Sequence, residues 1–173
     1  MVTYMVDECQ VLIREATIKD LKDVKFLWLK LAEEMYKIEE YIFPSRENAE
    51  RWFSSVVSIL REGRGKVFVA QLNGEIVGFI YFVHSLRMFF EVSKQVALIS
   101  DMYVKPEFRR RGIGSLLLEK CFEHLRKLDI KHVMLSVLSE NLAAVKFYEK
   151  TWFQDLSVRH VKKYLGSEKF ITI

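Results

Sequence analysis

Residues 108 to 114 read Phe-Arg-Arg-Arg-Gly-Ile-Gly, three cations and two glycines placed where an apolar strand-like run gives way to a helical period. A helix N-terminus offers main-chain N–H groups without intrahelical partners together with the positive end of the helix dipole, so this loop has the makings of an anion site. The glycines let the main chain come close. Arginines there oppose the dipole at about 0.3–1 kcal/mol each when exposed, a sign that a bound polyphosphate would reverse. A dinucleotide fingerprint would want a third glycine near position 117, which is Leu117, and a P-loop would want Gly-Lys-Ser or Gly-Lys-Thr, which the chain lacks. A solvated turn with incidental arginines is the alternative. Further on, Asn141 and Tyr148 stand seven residues apart in a helical stretch, hence two turns apart on one face. Asn141 also suits an ordinary N-cap, and Tyr148 a core position, with Phe147 the better core candidate.

Several elements must position these residues. Residues 11 to 17 (VLIREAT) read as a strand, Thr17 and Asp20 as a capping-box-like start, and Leu21, Val24, Leu27, Leu31 and Met35 as one apolar helical stripe. Pro44-Ser45 breaks the pattern; residues 47 to 61 resume it through Trp52, Val56, Ile59 and Leu60 and end at Gly63 and Gly65, a pair suited to a C-cap. KVFVAQL, Asn73-Gly74 and EIVGFIYFVH form a hairpin with a two-residue loop. Residues 95 to 104 (QVALISDMYV) read as a strand stopped by Lys105-Pro106, and 113 to 128 as a helix buried on Leu117, Cys121, Leu125 and Leu128. A strand at 132 to 138, a helix from about 141 to 150 and a last strand within 153 to 164 complete the order β-α-α-β-β-β-α-β-α-β. The expected fold is an α/β domain spanning 1–173, core about 11–164, with a mixed, mostly antiparallel sheet and about four helices.

Composition narrows the classes of function. The net charge of +4, from 27 basic and 23 acidic side chains, is too mild and too interleaved for a dedicated nucleic-acid binder. Cys9 and Cys121 give neither a metal spacing nor a disulfide framework. The acidic N-terminus lacks a signal-peptide pattern, and no run of about 18 apolar residues occurs, so the expectation is a cytoplasmic protein without membrane, nucleic acid or metal.

The loop resembles that of the GCN5-related N-acetyltransferase (GNAT) superfamily, whose pattern of Arg or Gln, any, any, Gly, any, Gly or Ala is filled by Arg109, Gly112 and Gly114. The resemblance continues through DMYVKPEFRRRGIG and SENLAAVKFYEKTWF, and the order of elements agrees. It implies an enzyme that transfers an acetyl group from acetyl-CoA to a primary amine by direct attack, the acceptor being a polyamine, another small amine or a peptide or protein amine. It implies that Arg109, Arg110, Arg111, Gly112, Ile113 and Gly114 hold the pyrophosphate. Main-chain groups of Met102, Tyr103 and Val104 would pair with the pantetheine arm, Asn141 would bind that arm, and Tyr148 would lie at the cofactor and donate to the departing sulfur. With a thiol near ~8.5 and tyrosine near ~10, full proton transfer is uphill by about 2 kcal/mol, so a hydrogen bond to developing charge is the smaller demand.

The sequence departs from the family pattern at two places. Trp152 stands where the motif after the tyrosine has glycine, and Ser100 where some relatives, polyamine acetyltransferases included, carry a glutamate base. Asp101 is adjacent, but strand alternation points it to the opposite face unless a bulge intervenes. Glu39, Glu40, Glu91 and His84 are the other candidate bases. The acids Glu33, Glu34, Glu39 and Glu40 fall where the family borders its acceptor and would suit a cationic amine, as would a merely solvated helix face. A CoA-binding regulatory module and a nucleic-acid binder using Arg109 to Arg111, Arg126, Lys127 and Lys131 are the rival readings. The apolar last strand implies a possible homodimer in this family.

Overall fold

The computed structural model describes residues 2–6, 9–40, 43–86, 95–150 and 158–159. In chain order these form β1 (Val2–Val6), β2 (Cys9–Glu15), α1 (Leu21–Tyr36), α2 (Arg46–Arg61), β3 (Gly65–Leu72), β4 (Glu75–Leu86) and β5 (Val96–Val104). A single 3-10 turn at Pro106–Phe108 leads into α3 (Ile113–Lys127), followed by β6 (His132–Leu135), β7 (Val137–Leu138), α4 (Leu142–Lys150) and β8 (Val158–Arg159). The chain divides into a unit ending at Leu135 and a second beginning at Ser136.

In the first unit the sheet order is β1-β2-β3-β4-β5-β6, antiparallel throughout except for the parallel β5–β6 pair. The expected mixed α/β architecture is therefore present. Asn73 and Gly74, with φ of 49° and 88°, make the tight turn between β3 and β4 whose handedness matches strand twist. At the end of α2, Gly63 adopts φ 67° while its N–H bonds to Leu60 O and that of Arg64 to Ile59 O, which closes the helix. Gly65 serves differently: a Cβ there would lie 2.7 Å from the Phe82 carbonyl oxygen, so only glycine lets β3 begin against β4.

Two helical layers cover the sheet. Leu21, Val24 and Leu27 of α1 and Val56 of α2 pack on Val67, Val69, Phe79, Tyr81 and Tyr103. On the other face, the Phe68 and Phe82 rings lie beside His124 of α3, whose Leu117, Leu118, Cys121 and Leu125 are fully buried. Leu128 follows the helix as its C-cap and is exposed, so the stripe stops one turn earlier than its spacing suggests.

Two strands differ from expectation. β1 is an added edge strand, and with Met5 exposed and Tyr4 half-buried it carries little of the apolar alternation that marks a buried strand. The run 132–138 divides at Ser136, β6 joining β5 and β7 pairing in parallel with β8. Of the strand expected within 153 to 164, only 158–159 falls in the described residues.

Side-chain hydrogen bonds mark the approaches to α1 and α2. Ser45 Oγ accepts from Asn48 N at 3.0 Å, an N-cap. Asp20 accepts from both the N–H and the hydroxyl of Thr17 at 2.7 Å, and Arg14 grips it through 2.6 and 2.8 Å hydrogen bonds. The Arg14 bonds and then those of Thr17, against the cost of burial, hold the Asp20 carboxyl well below the ordinary carboxylate range. A depressed folded-state pKa contributes stability above the unfolded value, about 3.9, that is lost as pH falls through the folded one. Asp20→Asn is accordingly expected to lower stability by about 1–3 kcal/mol at neutral pH. Urea unfolding at several pH values should show that deficit shrinking below about pH 4.

Candidate functional site

β5 supplies two different edges. Its pairing with β4 reaches from Val96 to Val104, whereas its pairing with β6 covers only Val96 to Ile99. From Ser100 to Val104 that second edge has no strand partner among the described residues. Main-chain N–H and C=O groups need partners, so an edge of this kind suits a ligand that itself carries amides. Met102, Tyr103 and Val104 lie on this stretch.

The strand leads into the glycine loop. Lys105 N bonds to Val77 O and Arg109 N to Pro106 O, which fixes the 3-10 turn. Arg110 at φ 65° and Gly112 at φ 80° then swing the chain into α3, whose first residue, Ile113, is buried. Only glycine takes the left-handed conformation at low cost, which accounts for Gly112; Gly114 sits half-buried in the first helical turn. The first N–H groups of that turn have no intrahelical acceptor, the condition under which a helix N-terminus suits an anion.

Arg109 turns back along β5. Its Nε donates to Val104 O at 2.7 Å, its terminal nitrogen to both Glu34 oxygens at 2.8 and 2.9 Å, and its guanidinium lies 5.1 Å from the centre of the Tyr103 ring. The Tyr103 hydroxyl donates to the same Glu34 carboxylate at 3.2 Å, and burial, then Glu34, push that phenol up to about 12. Of the three clustered cations, one is thus neutralised internally. Arg110 and Arg111 are exposed, Arg111 lying 5.7 Å from the Phe108 ring centre.

A bulge decides where Asp101 points. Tyr81 pairs with Asp101 and Phe82 with Ile99, which leaves Ser100 as an extra residue in β5. Tyr81 belongs to the cluster under α1 and α2, whereas Phe82 lies against α3. Paired residues share a face, so Ile99 follows Phe82 and Asp101 follows Tyr81. The bulge that alternation required is present, and Asp101 faces the α1–α2 layer.

There it meets two tryptophans. Trp28 Nε1 donates to one Asp101 oxygen at 2.9 Å, Trp52 Nε1 to the other at 3.1 Å, and the indoles stack with centres 5.1 Å apart. Ser100 Oγ adds a third hydrogen bond at 2.7 Å. Burial raises the Asp101 pKa against the opposing pull of the bonds from Ser100, Trp52 and Trp28. Trp52 was legible as part of the α2 stripe. Trp28 was not legible as part of a site, although a buried indole N–H needs an acceptor, and Glu34 was legible only among the acids bordering the acceptor and not as the partner of Arg109.

The other candidate acids and bases separate. His84 is buried on the α3 side, its ring 5.7 Å from that of His124, and burial lowers its pKa; it does not join Asp101. Glu33 pairs with Lys30 and Glu34 with Arg109. Glu39 is half-buried just beyond α1 and Glu40 is exposed. Glu91 and Trp152 lie outside the described residues. Among the described residues no group of three or more His, Cys, Asp or Glu side chains could hold a metal, and no helix is long and apolar enough to cross a membrane.

In the second unit Asn141 acts as an N-cap, Oδ1 accepting from Ala144 N at 3.2 Å. Tyr148 is the buried residue of α4, its ring centre 5.2 Å from that of half-buried Phe147 in an edge-on arrangement. Tyr148 rather than Phe147 is therefore the more buried of the two.

The model of the Acetyltransferase (GNAT) family matches residues 27–152. The chain belongs to the GNAT family of acetyltransferase enzymes. It is 31% identical over 160 residues to an uncharacterized N-acetyltransferase of Methanocaldococcus jannaschii, covering 92% of this chain and 66% of that protein. It is 33% identical over 137 residues to another from Archaeoglobus fulgidus, covering 79% of this chain and 88% of that protein. Among solved structures it is similar to the BH1408 protein of Bacillus halodurans, with a TM-score of 0.67 and 25% identity over 80% of this chain and 90% of that one. In this GNAT chain the glycine loop depends on one backbone conformation. Gly112→Ala is expected to cost about 1–2 kcal/mol through its left-handed φ, although no atom lies within 4 Å of the added methyl. Denaturant unfolding of the variant beside a Gly114→Ala control would measure it.

Proposed function

We propose that this GNAT chain transfers an acetyl group from acetyl-CoA to a primary amine of a small molecule or a peptide. The observation that carries the reading is the continuity of an unpaired β5 edge, Ser100 to Val104, with the glycine-turned N-terminus of α3. One chain segment thus offers hydrogen bonds to an amide-bearing arm and then N–H groups to a diphosphate. Acetyl-CoA supplies the acetyl group as a thioester with thiolate as leaving group.

The residue roles follow from local chemistry and the family motif. Main-chain groups of Met102, Tyr103 and Val104 receive the arm. The N–H groups from Arg110 to Gly114 receive the diphosphate, with the exposed Arg110 and Arg111 adding charge. Arg109 braces the loop against β5 and α1. The place of Asn141 in SENLAAVKFYEK assigns it to the arm. Tyr148 carries a hydroxyl on a buried ring in the same motif, which supports its role as donor to the departing sulfur. Glu39 and Glu40 are assigned to attracting a cationic acceptor from beyond the end of α1.

Calorimetric titration should show micromolar binding of acetyl-CoA that is selective over ATP and NAD. No binding, or equal binding of the three, would reduce the loop to a generic anion site. Tyr148→Phe is expected to lower kcat about 10–100-fold with little change in acetyl-CoA affinity. A variant with undiminished kcat would remove Tyr148 from the reaction.

A further inference from the structure

A half-buried carboxylate normally comes with a cation, because removing an unpaired charge from water is costly. Asp101 accepts from Trp28, Trp52 and Ser100, and among the described residues no cationic side chain pairs with it. Three of its roughly four acceptor positions are thereby used, and one remains. The group lies on the stretch of β5 whose edge is unpaired, beside exposed Ser100.

The indoles explain the geometry but not the choice of an ionisable group. Each N–H needs an acceptor when buried, which a side-chain amide or a main-chain carbonyl would also supply. A carboxylate adds negative charge, and the two stacked rings beside it add the electron-rich faces that attract organic cations. The unfilled need of the cluster is a positive charge.

We propose that Asp101 receives the acceptor: its carboxylate binds the protonated primary amine and takes one proton from it, while Trp28 and Trp52 are positioning residues that hold the carboxylate and set its proton affinity. This rests on the acetyl-transfer reading above. In the step, one N–H bond breaks with its electron pair left on nitrogen, and an O–H bond forms on Asp101. Ammonium and carboxylate become a neutral amine and a neutral acid, and the freed lone pair is what attack on a thioester carbonyl needs. The proton leaves Asp101 to solvent after release of the product.

The environment favours that direction. An alkylammonium near ~10 and a free carboxylate near ~3.9 are far apart, but burial disfavours both charged forms and so narrows the gap. Other titratable groups facing this layer are Tyr81 on β4, and Tyr103 with Glu34 and Arg109 further along. Both phenols are pushed up to about 12, Tyr81 by burial and then by Asp101 itself with Arg64 opposing, so they stay neutral near pH 7. Asp101 is thereby left as the proton acceptor of the face.

A Trp152→Phe background leaves Trp28 and Trp52 as the only indoles in the chain, so tryptophan emission reports on Asp101 without any need for turnover. n-Butylammonium should change that emission saturably at pH 7, uncharged n-butanol should not, and Asp101→Asn should abolish the response. The pH midpoint of the emission should fall when n-butylammonium is present, because a bound cation favours the carboxylate. An absent response, or one retained in Asp101→Asn, overturns the proposal. If Asp101→Asn does not fold, Trp28→Phe and Trp52→Phe decide it. Each removes a donor to the charged form, so each should move the emission midpoint and the acidic limb of kcat/KM together to higher pH, whereas a merely structural role would move the emission midpoint and leave the kcat/KM limb in place. Where it folds, Asp101→Asn should lower kcat/KM with a primary amine about 10²–10⁴-fold. A wild type that binds n-butylammonium through Asp101 but acetylates no amine would refute the acetyl-transfer reading and leave the ammonium site standing. Acetyl transfer that is unchanged in Asp101→Asn would do the reverse.

Discussion

One carboxylate joins three elements of this fold. Asp101 on β5 takes a hydrogen bond from Trp28 on α1 and another from Trp52 on α2, so neither helix can slide on the sheet without breaking a charge-assisted bond. Trp52 is also wedged edge-on against Phe79 and Tyr81, both ring centres at 6.1 Å. The apolar cluster supplies the bulk of the attraction between layers, and its contacts are non-directional. The carboxylate contributes direction, fixing which side chains of α1 and α2 stand over the open half of β5.

α1 touches β5 a second time through Glu34, which binds Tyr103 and Arg109 together. Trp28 and Glu34 thus read successive inward residues of one strand, and the second contact reaches into the glycine loop. The guanidinium of Arg109 is held by an acceptor on each side, Val104 O and the Glu34 carboxylate. Ordering of the loop before any ligand arrives follows from these bonds, and preorganisation of that kind reduces the entropy lost on binding. It also answers the electrostatic puzzle of three arginines at a helix N-terminus, since the first points away from the dipole.

Much of this was legible in the amino-acid order because local chemistry dictated it. Asn73-Gly74 permits a turn with two positive φ values, Gly112 permits the swing into α3, and Asn141 has a side chain that caps. These are decisions made within a few residues. What escaped was settled by partners distant in sequence. None of the described side chains of β1 is fully buried, and the strand is defined by its pairing with β2. The Glu34–Arg109 bridge spans 75 residues, and the Trp28–Asp101 bond 73. The relative depth of Phe147 and Tyr148 is the reverse of what the sequence suggests, because a helical period tells which side is buried and not how deeply each ring sits. The bulge at Ser100 is intermediate: alternation identified what Asp101 would need, and only the register of β4 against β5 supplied it.

That register makes the last part of β5 sensitive to slippage against β4 in a way that side-chain chemistry is not. Deleting Ser100 would remove the bulge and leave Asp101 next to Ile99 and still opposite Tyr81, whereas a one-residue slip of the pairing with Ser100 kept would exchange the two sides, sending Asp101 and Tyr103 toward α3 and bringing Met102 and Val104 under α1 and α2. A point substitution at Ser100 alters one hydroxyl, whereas a one-residue slip of the pairing rewrites four side chains at once. Divergence across this segment can therefore proceed by exchange of residues, or by loss of the bulge residue itself, without turning the strand over.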